Sequence, residues 1–158
     1  MNTISNRFAP LAAKKRCQGL TLVEILVALL VLSIGLLGLA MMQTTSVKFT
    51  TSANQRTQAT ALAYDLVDRM RGNRLAALNN DYIVAFESPV PACAAFNGTG
   101  SLRDQDIAAW RNAIACRLPQ GTGSVERTND QFTITIRWDD SQGQGAATPL
   151  EFELTTML

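Results

Sequence analysis

Histidine is absent from all 158 residues of the sequence. Without imidazole the chain has no Ser-His or Cys-His catalytic pair, no His metal ligand and no usual side-chain pH switch. Charged residues make up only 17 %, below the roughly 25 % of typical soluble domains, and a net charge of +1 excludes a strongly basic nucleic-acid binder. The sequence also lacks a G-x-S-x-G motif, a P-loop, a paired-carboxylate motif and a metal-ligand cluster. These absences argue against an enzyme, and no cofactor is expected.

One segment near the start of the chain is unusually apolar. From Leu20 to Met42 it carries a single charge, Glu24, and a helix needs about 20 apolar residues to cross a bilayer. Residues 1–19 contain four basic side chains and no acid: Arg7, Lys14, Lys15 and Arg16. The positive-inside rule therefore predicts a cytoplasmic leader, a span over 20–42 and an external remainder. An ordinary secretory signal is a poor match, because it is shorter and ends in an A-x-A-like site.

Glu24 stands out because a carboxylate inside a membrane helix costs about 2.5–3.5 kcal/mol at the centre and less near an interface. Its position is compatible with a side chain that simply reaches the cytoplasmic headgroups. The order of the residues around Glu24 favours a different role. Basic residues, Gly19 and then the run Leu-Thr-Leu-Val-Glu at 20–24, opening an apolar helix, closely resemble the type III signal of type IV pilins and pseudopilins.

That resemblance implies processing and assembly roles for three residues. In the family, a prepilin peptidase cuts after the glycine and methylates the new terminal amine, so the cut would fall between Gly19 and Leu20 and the methyl group would be placed on Leu20. Glu24 would then set subunit register by pairing with the N-terminal amine of a neighbouring subunit or with its own. Leu20 departs from the family, which usually has phenylalanine there.

The second part of the apolar segment leads into a longer helix. No proline occurs between Pro10 and Pro89, so one helix is predicted to continue through residues 43–78. Six apolar residues recur at three- and four-residue spacings on one predicted stripe: Ala59, Leu62, Ala63, Leu66, Val67 and Met70. Five polar residues are predicted on other faces: Gln55, Arg56, Asp65, Asp68 and Arg69. The amphipathic half should therefore dock on a globular domain.

Two stretches narrow the resemblance further. Residues 26–43 and the segment LAYDLVDRMRGNR at 62–74 resemble the minor pilin of the PilV type. The second stretch contains five charged residues: Asp65, Asp68, Arg69, Arg71 and Arg74. They have two interpretations, a solvated helix face with i,i+3 and i,i+4 pairs or a contact between subunits.

Residues 79–158 are predicted to form a small sheet domain. The segment 132–138 alternates strictly and is followed by a polar, glycine-containing loop at 139–145 and by a second alternating run at 150–154, which predicts an antiparallel hairpin. Weaker strands are expected at 82–86 and 124–127. A short helix is predicted over 104–118, with Asp104 or Asp106 near its N-terminus, and Trp110 and Trp138 are expected in the core.

The cysteines agree with an exported domain. Removal of the leader takes Cys17 and leaves Cys93 and Cys116, an even pair in an oxidising compartment. We predict a disulfide between them, closing a loop of about 22 residues and stabilising the fold by roughly 3 kcal/mol. Two free buried thiols are the alternative. Leader removal also takes four of the fourteen basic residues and none of the thirteen acids, which leaves a net charge of about −3. Direct nucleic-acid binding is therefore not expected.

The predicted architecture is α+β and pilin-like: a leader at 1–19, a transmembrane and filament-core half-helix at 20–42, an amphipathic half-helix at 43–78 and a periplasmic domain at 79–158. The resemblance implies a non-catalytic minor type IV pilin that initiates or caps a pilus. Its partners would be other minor pilins, the major pilin, the prepilin peptidase and the platform protein. It would cross the bacterial inner membrane once before it enters a pilus at its tip or base. The alternatives are a minor pseudopilin of a type II secretion system and a single-span envelope receptor or enzyme.

Overall fold

The computed structural model describes residues 19–95, 98–141 and 149–158. They form α1 (Leu22–Gly72), α2 (Arg74–Leu78), α3 (Leu102–Arg117), β1 (Thr122–Thr128), β2 (Gln131–Trp138) and β3 (Leu150–Met157). The chain divides into two compact units, Met1–Gln43 and Thr44–Leu158. The long helix followed by a small antiparallel sheet confirms the predicted α+β, pilin-like fold. Residues 1–18 of the predicted leader, which include its basic side chains and Cys17, and residues 142–145 of the predicted loop lie outside the described residues.

The first unit exposes its apolar side chains. Every large apolar side chain from Leu20 to Met42 is at least 48 % exposed. Among the described residues, α1 is the one helix long and apolar enough to cross a membrane by length and composition. The helix is apolar around its whole circumference here, which is typical of a segment surrounded by lipid or by other helices.

The second unit buries one stripe of α1. All six apolar residues of the predicted stripe are buried, each at 2 % exposure or less: Ala59, Leu62, Ala63, Leu66, Val67 and Met70. This part of the prediction is confirmed. The placement of Gln55 on another face is wrong, because its side chain is only 8 % exposed. Gln55 lies one turn before Ala59, so the same helical face that buries the stripe also carries the glutamine.

The helix predicted to reach Leu78 is broken. α1 ends at Gly72, and Asn73 leaves the helical region with φ −119° and ψ 50° before the five-residue α2 begins. Glycine weakens the last turn, and the Asn73 side chain donates a hydrogen bond to the Tyr82 hydroxyl at 3.2 Å. The break is therefore stabilised by a contact outside the helix.

The sheet has the order β1-β2-β3, with both pairs antiparallel. The predicted hairpin is confirmed, and Ile134 faces Val125 on one side and Leu154 on the other. The weak strand expected at 124–127 extends to the full β1. The strand expected at 82–86 is not formed; only Val84 pairs, in an isolated antiparallel bridge to Val125.

Helix α3 packs on both α1 and the sheet. Its N-cap is Ser101, which forms a capping box with Asp104: the Ser101 hydroxyl accepts from the Asp104 backbone N–H at 3.2 Å. The predicted position of Asp104 near the N-terminus is confirmed, because this residue lies in the first turn of α3. The buried Trp110 indole donates to the Leu62 carbonyl oxygen at 3.0 Å. Gly123 on β1 has no Cβ, and one built there would collide with the Trp110 ring. Close packing of α3 on the sheet therefore requires glycine at this position.

Candidate processing site and assembly surface

The residues that precede α1 are exposed and carry a helix cap. Gly19 and Leu20 lie outside the helix, and Leu20 is 71 % exposed. The Thr21 hydroxyl accepts a hydrogen bond from the Glu24 backbone N–H at 3.3 Å, and the Thr21 carbonyl accepts from the Ile25 N–H at 3.3 Å. This is one half of a capping box. The T-x-x-E spacing at 21–24 is the usual sequence signal of this cap, although the apolar run and the prepilin-like residues at the same positions draw attention first.

Glu24 lies in the first turn of α1 and is exposed. A carboxylate is favoured at this end of a helix because the unpaired backbone N–H groups there carry partial positive charge. No basic side chain among the described residues forms an ion pair with it.

The five charged residues between 65 and 74, at the end of α1 and the start of α2, make two kinds of contact. Asp65 pairs with Arg69 at 3.0 Å and Asp68 with Arg71 at 3.2 Å, at i,i+4 and i,i+3, as the solvated-face interpretation predicts. Arg69 also pairs with Asp106 on α3 at 3.3 Å, and Arg74 donates to the Leu158 carbonyl at 2.9 Å. Two of the five residues therefore hold the domain together as well.

A buried polar network joins the end of α1 to α3. The Tyr82 hydroxyl, with no exposed surface, donates to Asp106 Oδ2 at 2.5 Å. It accepts from Asn73 Nδ2 at 3.2 Å, and Arg69 donates to Asp106 Oδ1 at 3.3 Å. Burial, with the Asp106 hydrogen bond, raises the pKa of Tyr82 to about 12. The hydrogen bond to Asp65 raises the pKa of Arg69.

Cys93 and Cys116 are joined by a disulfide, with their Cα atoms 4.6 Å apart. Both residues are exposed. Next to the bridge, the Ala94 N–H donates to the Asn112 side chain at 3.0 Å. The segment that follows the Val84 bridge is thereby fixed to α3.

Two aspartates follow β2. Asp139 accepts hydrogen bonds from the Ser141 N–H at 2.7 Å and the Ser141 hydroxyl at 3.0 Å, and these bonds lower the pKa of Asp139. Asp140 accepts from the Ser52 hydroxyl of α1 at 2.8 Å. Asp139 thus shapes a polar turn, whereas Asp140 ties the end of the sheet to α1.

An exposed apolar helix that continues into an amphipathic half and leads to a three-stranded antiparallel sheet defines a pilin-like arrangement. Residues 14–40 match the prokaryotic N-terminal methylation motif. The chain therefore carries a type IV prepilin signal, consistent with a type IV pilin-like family. The matched range contains Gly19, Leu20 and Glu24. Comparisons with curated proteins and with solved structures find no match.

Proposed function

We propose that the chain is a minor type IV pilin of the PilV type, a non-catalytic subunit that initiates or caps the pilus. The observation that carries the proposal is the methylation motif at residues 14–40, which ends within an exposed apolar helix. The resemblance of residues 26–43 and 62–74 to PilV-type minor pilins favours this subunit over a pseudopilin of a type II secretion system.

Processing would cut the bond between Gly19 and Leu20 and methylate the Leu20 amine. The exposure of both residues supports access by a peptidase. The Thr21 hydroxyl and Glu24 N–H lie on the mature side of the cut, so leader removal leaves the helix cap in place. Cleavage would therefore change the charge of the terminus without requiring α1 to refold.

Glu24 would recognise a neighbouring subunit during assembly. An unpaired carboxylate in a membrane helix is unfavourable by about 2.5–3.5 kcal/mol at the bilayer centre, and Glu24 has no cation among the described residues. The methylated amine of an adjacent Leu20 would neutralise it. Since one amine meets one carboxylate, this pairing would fix the axial register of the subunits.

Before assembly, residues 20–42 would span the inner membrane once, with the amphipathic half-helix at 43–78 and the domain at 79–158 in the periplasm. Helix packing would replace lipid contact when the subunit enters the pilus. The partners would be other minor pilins, the major pilin, the prepilin peptidase and the platform protein. We assign no direct contact with nucleic acid.

Intact mass and N-terminal sequencing of the native protein, from membranes and from sheared filaments, test the proposal. We expect a chain that begins with methylated Leu20 and is present in both fractions. An intact leader in the native host would overturn it and favour an envelope receptor or enzyme. Deletion of the gene separates the remaining two functions: loss of pili supports the minor pilin, whereas loss of protein export with normal pili identifies a secretion pseudopilin.

A further inference from the structure

Strand β3 forms an open edge of the sheet. The order β1-β2-β3 leaves the outer side of Leu150–Met157 without a strand partner among residues 19–95, 98–141 and 149–158. The opposite edge differs, because Val84 and Val125 exchange two backbone hydrogen bonds of 3.1 and 2.8 Å there. An open edge presents N–H and C=O groups that pair with a further strand.

The apolar side chains of β3 are only partly covered. Leu150, Phe152 and Leu154 are half-buried against the core. Their β2 neighbours on the same face are Trp138, Ile136 and Ile134, each at 2 % exposure or less. The row of apolar side chains therefore continues to the sheet edge, where it is only partly covered. A further strand with apolar residues at alternate positions would extend this row and remove its remaining surface from water.

The edge is regular and held in place. Its register with β2 runs unbroken through eight residue pairs, without a bulge, and the strand contains neither lysine nor proline, two common protections against edge pairing. Near one end Arg137 pairs with Glu151 at 2.6 Å, and at the other end Arg74 holds the Leu158 carbonyl at 2.9 Å. A preorganised edge loses less conformational entropy when it binds.

The negative charge of Glu153 indicates which kind of strand would bind at the β3 edge. Glu153 is exposed and makes no ion pair or side-chain hydrogen bond within the described part of the chain. A second copy of β3 paired antiparallel would place its own Glu153 on the same face of the sheet as the unpaired Glu153 of the first copy. Like charges on neighbouring strands are destabilising, whereas opposite charges stabilise the pair.

We infer that β3 binds a β-strand from a different protein chain, whose Lys or Arg residues face Glu153 and whose apolar residues extend the row that contains Phe152. Backbone hydrogen bonds along the edge would supply affinity, and the acidic face would supply specificity. The edge and its charge carry this assignment independently of whether the complex is a pilus, a secretion pseudopilus or another envelope assembly.

Site-specific photocrosslinking of the full chain in its native host tests the inference. A benzophenone amino acid replaces Thr155, which is exposed next to Glu153, and in a matched chain it replaces the exposed Thr128 on β1. Each is combined with Glu153→Lys or with Glu126→Lys, the same charge reversal at an exposed residue of the opposite edge strand. Crosslinked peptides are identified by mass spectrometry, and disulfide formation and detergent elution volume verify that every variant folds.

We expect Thr155 to crosslink to an extended segment of a different chain with a Lys or Arg within about two residues of the attachment point. Glu153→Lys should lower the yield about fivefold to tenfold, because it replaces an attraction by a repulsion, whereas Glu126→Lys should leave it unchanged. Crosslinks to a second copy alone, an equal yield from Thr128, no crosslink from Thr155, or indifference to Glu153→Lys would each overturn the inference.

Discussion

Substitution of Asp106 by alanine should strongly destabilise the second unit. The change removes the acceptor of the 2.5 Å hydrogen bond from Tyr82 and the partner of Arg69 on α3. A hydrogen bond to a charged group contributes about 1.5–3 kcal/mol. The Tyr82 hydroxyl has no access to water, so its proton would lose its acceptor without compensation. We therefore expect a loss of about 2–4 kcal/mol in the free energy of unfolding.

Urea unfolding of the mature chain in detergent measures this loss, with fluorescence of the two tryptophans as the signal. Asp68→Ala is the matched control, because Asp68 is 73 % exposed and its one ion pair within the described part of the chain is with Arg71 on the same helix. The free energy of unfolding of this variant should stay close to that of the wild type. Asp106→Ala combined with Tyr82→Phe should cost less than the sum of the single changes. A loss below about 0.5 kcal/mol for Asp106→Ala, or strict additivity, would refute the reasoning.

The stability of the fold at alkaline pH tests the same network, because it depends on the protonation of Tyr82. Its pKa is raised from 10.0 in the unfolded chain to about 12 in the fold, so the folded state favours the protonated hydroxyl. This contribution is fully present below pH 10 and is lost as the pH rises from 10 to 12. The difference in unfolding free energy between wild type and Tyr82→Phe, measured across this range, should shrink with rising pH; a constant difference would contradict the burial of a protonated hydroxyl.

Three further predictions concern Glu24 in α1, the Ser101 cap of α3 and the disulfide between Cys93 and Cys116. Glu24→Val should still be cleaved and methylated but enter sheared filaments poorly, and normal incorporation by immunoblot would exclude the pairing with a neighbouring amine. Ser101→Ala should cost about 1 kcal/mol of stability in urea unfolding through loss of the α3 cap, whereas an unchanged midpoint would show that the cap contributes nothing. Cys93→Ser with Cys116→Ser should lower stability by roughly 3 kcal/mol; two thiols that label fully in the native exported protein would contradict the bridge.

The features that the sequence predicts best are those with a short periodic pattern of apolar residues. The α1 stripe and the alternation of β2 each follow from burial of one face, which selects apolar residues at a fixed period. The prepilin signal is equally local, because its adjacent basic residues, its glycine and its acidic residue lie within residues 14–24. Asp106 and Tyr82, by contrast, are 24 residues apart, and no pattern in either segment indicates that they meet.

The errors arise where a distant contact decides a local structure. Gln55 is buried because it shares the face of Ala59, although its polarity suggested an exposed position. The Asn73 side chain at the break in the helix donates a hydrogen bond to Tyr82, nine residues later. The strand expected at 82–86 does not form, because Val84 alone pairs with β1, through an isolated bridge to Val125. The predicted start of α3 at residue 104 is two residues late, because Ser101 caps the helix and Leu102 begins it.

The bond from the Trp110 indole to the Leu62 carbonyl has a mechanical consequence. Leu62 lies ten residues before the end of α1, and Arg69, which pairs with Asp106, lies three residues before it, so α3 is attached to that helix at two levels. Tension along α1 would load this hydrogen bond, together with the packing of Trp110 against Gly123. Because α3 also carries Cys116, which is covalently joined to Cys93, force applied to α1 would reach the segment around Cys93 through α3.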